Sequence, residues 1–215
     1  MSTPSVWGVA GSPVDHSVTP MLFDLVGRSL GIASNSTITI DTENIDDVIS
    51  FIQSHDGDAW ISCTSPLKHS LHQKFPLKNR GSSSLNQIAR IGGSMVVRDT
   101  DGAGFLEACR GLGITPSDHS LMIKGGGSTA RSIAFAWTRK GGYIVPMGGR
   151  RPLPDGPWST NVLIQERADV GVDLDANPGR RNVTKMPTEV KLSVSYDVNW
   201  NCLLYTSDAA DEWRS

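Results

Sequence analysis

Hydrophobic positions along the chain switch repeatedly between the period of a strand and that of a helix. Val6 to Ala10 is a short apolar run closed by Gly11-Ser12-Pro13, a buried strand ended by turn formers. After His16-Ser17-Val18-Thr19-Pro20, the residues Met21, Leu22, Leu25, Val26 and Leu30 recur at helical spacing. Ser36 to Ile40 alternates with β-branched residues and reads as a second strand. Ile45, Val48, Ile49 and Ile52 fall at i, i+3, i+4 and i+7, one face of a helix expected to be capped near Asp41 or Thr42. Ala59 to Cys63 is a third strand, and Pro66 opens the next helix.

Gly81 to Val97 is less regular and is expected to form a short strand pair. Asp99-Thr100-Asp101-Gly102 makes a polar turn before a helix around Phe105 to Cys109. Strand, turn and helix then repeat as Leu121-Met122-Ile123, Gly125 to Ala130, and Arg131 to Trp137. Tyr143 to Val145 follows as a strand, with Gly148-Gly149-Arg150-Arg151 as its outgoing loop. From Pro152 to Pro187 turn formers are dense and the pattern is weak, and Val194 to Val198 reads as a last strand. Strands alternating with helices predict an α/β chain with a mainly parallel sheet.

Composition narrows the classes. The 38% hydrophobic and 20% charged residues are ordinary for a water-soluble globular protein. A net charge of −2 without a long basic block argues against a nucleic-acid partner or a membrane-surface patch. No apolar run approaches the roughly 18 residues of a membrane span. Three cysteines, odd in number and without metal spacing, point to a reducing, cytoplasmic setting. His16, His69 and His72 have no zinc-like spacing either, so no metal is expected.

Two stretches carry candidate chemistry. Trp60 to Lys68 runs from a strand through Thr64-Ser65-Pro66 to a lysine, which places a hydroxyl and an amine at a strand end, where α/β enzymes put their reacting groups. The competing reading is a plain helix start with a solvated lysine. Gly125-x-Gly127-x-x-Ala130, with Gly126, Ser128 and Thr129 between, follows an apolar strand and opens a helix. That is the setting of a dinucleotide loop: glycines let the pyrophosphate approach, and the helix start supplies N–H groups and partial positive charge. The following strand ends in Arg150-Arg151 rather than Asp or Glu, which favours the 2′-phosphate of NADP over the bare ribose of NAD. A solvated basic loop is the alternative.

Taken in order, Gly8 to Ser17, Ser62 to Lys68, Asn86, Thr100 to Phe105 and Gly125 to Arg131 resemble the shikimate dehydrogenase family. The resemblance covers roughly the first two-thirds of the chain. It implies an N-terminal α/β substrate domain over residues 1–101 and a Rossmann-like NADP domain over residues 102–201. The implied reaction is reversible NADPH-dependent reduction of 3-dehydroshikimate to shikimate. It also implies roles: Lys68 and Asp101 as the catalytic pair, Ser17 and Thr19 on the substrate carboxylate, Thr64 and Asn86 on substrate hydroxyls. Helix capping competes as a reading of Ser17 and Thr19, and a turn asparagine as a reading of Asn86.

The chain departs from the family in several places. Ser62-Cys63-Thr64 stands for Asn-Val-Thr, and Asp99-Thr100-Asp101 for Asn-Thr-Asp. Asp169-Val170-Gly171-Val172 followed by Asn177-Pro178-Gly179 is the nearest match to the nicotinamide-side segment, and no role is carried over from it. Trp200 falls where a substrate-facing tyrosine is usual, so a quinate/shikimate dehydrogenase stays open beside the leading reading, as does a non-catalytic dinucleotide-binding module. Residues 202–215 resemble a translated sequencing adapter, and a C-terminally truncated chain of low stability and activity is expected.

Overall fold

A computed structural model of the chain describes residues 4–15, 17–31, 36–76, 84–175 and 186–193. The described residues form two compact units, one reaching Pro76 and including Leu85–Asp99, the other comprising Ser84 and the residues from Thr100 onward. Among them no helix is long and apolar enough to cross a membrane.

The first unit holds β1 (Val6–Gly11), α1 (Thr19–Ser29), β2 (Ser36–Asp41), α2 (Ile45–Ser54), β3 (Ala59–Cys63), α3 (Leu67–Lys74), β4 (Gln87–Ile91) and β5 (Ser94–Arg98). Its sheet runs β2-β1-β3-β4-β5, with parallel pairing among the first three strands and antiparallel pairing through β4 and β5. The strand pair expected between Gly81 and Val97 is thus a hairpin. Gly92 and Gly93, at φ of +55° and +80°, supply the left-handed turn that matches strand twist. Ile45, Val48 and Ile52 form the buried face of α2, whose cap is Asn44 rather than Asp41 or Thr42: its side chain accepts the Asp46 N–H at 3.0 Å.

The apolar stripe that predicts α1 is not the face the helix buries. Met21, Leu25, Val26 and Leu30 are exposed, whereas Thr19 and Gly27 are buried. Phe23 stacks on Trp7 of β1 at 5.3 Å, and a side chain at Gly27 would stand 2.7 Å from the Trp7 ring. A large aromatic on the strand selects a small residue on the helix, and this contact outweighs the aliphatic stripe in setting the helix rotation.

The second unit holds α4 (Asp101–Gly111), β6 (Ser120–Lys124), α5 (Ser128–Arg139), β7 (Tyr143–Met147), β8 (Ala168–Asp173) and β9 (Thr188–Ser193). Its sheet is wholly parallel in the order β7-β6-β8-β9. Leu121, Ile123, Ile133, Trp137, Ile144 and Val170 are part of its core. β8 and β9 fall where or next to where the sequence pattern is weak. β8 is buried almost throughout; Ala168-Asp169-Val170-Gly171-Val172-Asp173 does alternate, but it is short and set among dense turn formers. The strand expected at Val194 to Val198 lies outside the described residues.

Candidate active site

In the first unit, β1 and β3 are parallel neighbours, so their carboxyl ends reach one edge of the sheet. The Thr64 N–H donates to the Ala10 carbonyl at 2.8 Å and the Ser12 N–H to that of Ser65 at 3.1 Å, which joins the two exit loops. Gly11 is required at this junction: a Cβ there would lie 2.2 Å from Cγ2 of Thr64. The Cys63 N–H donates to the Asn86 carbonyl at 2.7 Å, and the Asn86 N–H to Arg98 at 3.1 Å. Asn86, fully buried, is thereby fixed beside the end of β3.

Thr64 is 2% exposed, and its hydroxyl has no hydrogen-bond partner among the described residues. Such a group costs about 1–3 kcal/mol that a hydrogen-bonding ligand would recover. Lys68, in the first turn of α3, is also only 2% exposed, which rules out the solvated-lysine reading. Lysines are almost never buried this far without a partner. Ser17 and Thr19 sit on the β1–α1 connection, where the Ser17 hydroxyl accepts the Thr19 N–H at 3.2 Å. This is the local backbone role that competes with substrate binding, although the cap position itself is Val18. Thr19 is fully buried.

In the second unit, the neighbours of β6 lie on opposite sides of it, β7 on one and β8 on the other. The carboxyl ends of β6 and β8 therefore flank the switch point at which open α/β sheets bind ligands. Gly125 has a φ of +111° and packs on Leu174, just past β8. A Cβ on Gly126 would lie 2.1 Å from the Pro152 carbonyl oxygen, so the loop after β7, which bears Arg150 and Arg151, closes directly onto the glycine turn. Gly127 is the N-cap of α5, and no side chain caps that helix. Its 12 residues leave first-turn N–H groups and the positive end of the helix dipole for an anion. A dinucleotide phosphate fits this arrangement.

Thr129, in the first turn of α5, also reaches α4. Its hydroxyl donates to Oδ2 of Asp101 at 2.8 Å, with both residues buried. The Gly102 N–H donates to Oγ of Ser132 at 2.7 Å, and a side chain at Gly102 would lie 2.6 Å from Cβ of Ala136. Small residues thus draw α4 against α5 and hold Asp101 by the helix that starts at the glycine loop. The sequence motif assigns Thr129 to the cofactor by position alone; its side-chain partner follows only from the helix packing.

Arg150 and Arg151 are both exposed. Arg150 pairs with Asp175, Nε to Oδ1 at 3.4 Å, and Lys124 pairs with Asp173 at 3.1 Å. Neither acidic residue stands out in the sequence, because β8, which carries Asp173 and precedes Asp175, is itself inconspicuous. Lys68 and Asp101 belong to different units. Trp200 and His16 lie outside the described residues. Among the described residues, no group of His, Cys, Asp and Glu side chains is placed to hold a metal ion.

No family model matches the chain. Curated proteins do, among them shikimate dehydrogenases (NADP+). The protein from Rubrobacter xylanophilus is 28% identical over 153 residues, 69% of this chain and 54% of that protein. The protein from Xanthomonas euvesicatoria is 27% identical over 182 residues, 82% of this chain and 59% of its own length. The chain spans about half the length of the curated relatives it matches. Among solved structures, the shikimate 5-dehydrogenase of Thermus thermophilus in complex with NADP(H) and shikimate superposes with a TM-score of 0.68 at 20% identity, covering 88% of this chain and 77% of that one. Shikimate dehydrogenase 1 of Peptoclostridium difficile gives 0.69 at 16% identity, covering 87% and 76%. These structures establish the α/β fold with its Rossmann-like second half, and the relatives bear out the family resemblance read from the motifs.

Proposed function

We propose, from this likeness to the shikimate dehydrogenases, that the protein acts in NADP-dependent reversible reduction of 3-dehydroshikimate to shikimate, on a small soluble substrate in the cytoplasm. The observation that carries the reading is the Thr64 hydroxyl, buried and without a partner among the described residues, four residues before buried Lys68. A polyhydroxylated ring supplies the partner that this hydroxyl lacks.

In this proposal NADPH, when bound, supplies the hydride that reaches the substrate carbonyl carbon. Lys68 delivers the proton that completes the alcohol on the carbonyl oxygen, and takes it back in the oxidation direction. Asp101, steadied by Thr129, acts with Lys68 as the family pair does. Thr64 and Asn86 orient the ring hydroxyls, Ser17 and Thr19 hold the carboxylate, and Trp200 closes the substrate side. The first turn of α5 takes the pyrophosphate, and Arg150 and Arg151 take the 2′-phosphate.

The test is NADPH formation followed with shikimate and quinate side by side, for the wild-type chain and Lys68→Ala. Low but measurable turnover with shikimate is expected, with a further loss on the order of 10²–10⁴-fold in the variant. NADP affinity is expected to stay within about twofold, since Lys68 lies outside the unit that carries the glycine loop. Turnover confined to quinate would replace the substrate assignment. Full activity of Lys68→Ala would remove the proton-transfer role, and NADP binding without turnover on either substrate would favour a binding module.

A further inference from the structure

The loop after β7 is held in place by a residue from the far side of β6. Asp175, two residues beyond β8, sends its carboxylate beneath Gly149 and Arg150. Its Oδ2 accepts the Arg150 backbone N–H, and its Oδ1 lies 3.4 Å from Arg150 Nε. Gly149 makes the approach possible: a Cβ there would stand 2.6 Å from Oδ2. The Asp175 side chain is only 6% exposed, while that of Arg150 is 58% exposed. Among the described residues nothing else bonds the Arg150 guanidinium. Asp175 is itself anchored, its N–H donating to Oδ1 of Asp173 at 2.9 Å while Oδ2 of Asp173 pairs with Lys124 at 3.1 Å. A chain of charges therefore links the carboxyl ends of β6, β8 and β7.

We propose that Asp175 is a positioning residue for phosphate recognition. It fixes Arg150 by its backbone and its Nε edge, leaving the two Nη groups to take a 2′-phosphate. The inference rests on the NADP reading above. An arginine free on a glycine loop loses side-chain entropy when it engages a phosphate, and a guanidinium already held along one edge loses less. The carboxylate also opposes the incoming phosphate. This opposition is small, because Arg150 is largely in water and its charge is screened. Arg151, next along the loop, keeps the local balance positive.

The test compares binding of 2′,5′-ADP and 5′-AMP, which differ only in the 2′-phosphate, by titration calorimetry on the wild-type chain, Arg150→Ala, Asp175→Ala and the double variant. Wild type is expected to prefer 2′,5′-ADP, Arg150→Ala to lose about tenfold of that preference, and Asp175→Ala about fivefold. Once Arg150 is gone, adding Asp175→Ala should cost clearly less preference than it does in wild type, the mark of a residue acting largely through its partner. An unchanged or increased preference in Asp175→Ala overturns the proposal. No preference in wild type overturns the NADP reading and this inference with it. A crystal structure of the wild-type chain with 2′,5′-ADP decides independently of whether the variants fold: Asp175 still on Arg150 Nε supports the proposal, and Asp175 displaced by the phosphate overturns it.

Discussion

Candidate groups in the first unit are side chains withdrawn from water: Thr19, Thr64, Lys68 and Asn86 are all buried, on or beside the carboxyl ends of parallel strands. In the second unit the corresponding sheet edge offers backbone N–H groups of α5, a glycine turn and two exposed arginines, of which Arg150 is held by a buried carboxylate. The difference follows the chemistry of what each would bind. A small polyhydroxylated acid is recognised group by group, which needs pre-placed polar side chains with their hydration already removed. A phosphate is recognised by charge and by rows of N–H donors, which a helix start provides whatever its side chains.

The sharpest way to break this comparison is to give the glycine turn a side chain. In Gly126→Ala the new Cβ would meet the Pro152 carbonyl at 2.1 Å, and that atom is backbone, so the loop bearing Arg150 must shift. Displacement of about 1 Å at a recognition site costs on the order of 10²-fold. NADP affinity should fall by that much in calorimetric titration, and shikimate binding should be spared. A similar loss for both ligands would mean that the units do not divide the work.

Thr129 tests whether a residue of the glycine loop serves the proposed catalysis through Asp101. Thr129→Val keeps the shape and removes the hydrogen bond to Asp101, a bond to a carboxylate worth about 1.5–3 kcal/mol. The kcat/KM for shikimate should drop roughly 10–100-fold with NADP affinity unchanged, and Thr129→Ser should restore it. If NADP affinity falls instead, the hydroxyl belongs to the cofactor site after all.

Thr64 should separate activity from stability. Thr64→Val removes a buried hydroxyl that nothing among the described residues satisfies, so the variant should be more stable by about 1 kcal/mol in urea denaturation. The KM for shikimate should rise about tenfold. A destabilised variant would mean that the hydroxyl is already satisfied in the folded chain.

Legibility in the sequence followed local periodicity and punctuation. β1, β3, α2 and the β6–α5 unit carry clean periodicities or glycine punctuation and fall where expected. Lys68 and the glycine loop stood out because their neighbours fix the local geometry. β8 did not, since its six residues sit in a stretch dense in turn formers that masks their alternation. With it went Asp173 and Asp175, whose partners Lys124 and Arg150 lie 49 and 25 residues away. The same limit applies to Thr129, whose partner depends on how closely Gly102 lets α4 approach α5. The rotation of α1 needed one fact beyond periodicity, the size of Trp7 opposite Gly27.

The smallest expected effect separates the two ends of one strand. At the amino end of β8, Asp169 accepts the Ser120 N–H at 2.6 Å and the Ser120 hydroxyl at 2.7 Å. These bonds, the backbone one foremost, hold its carboxyl below its ordinary value of 3.8. A lowered folded value means that the stabilisation is complete above the ordinary value and is lost as pH falls through the lower one. The group is close to solvent, so its contribution is less than about 1 kcal/mol. Wild type should therefore exceed Asp169→Asn by that margin in urea denaturation at neutral pH, with the gap closing as pH falls below the ordinary carboxyl value. NADP affinity should be equal in the two proteins, because Asp169 lies at the opposite end of the sheet from Asp173 and the glycine turn. A gap that persists in acid would mean that shape rather than charge is lost. A fall in NADP affinity would mean that the amino end of β8 shares in a function assigned here to its carboxyl end alone.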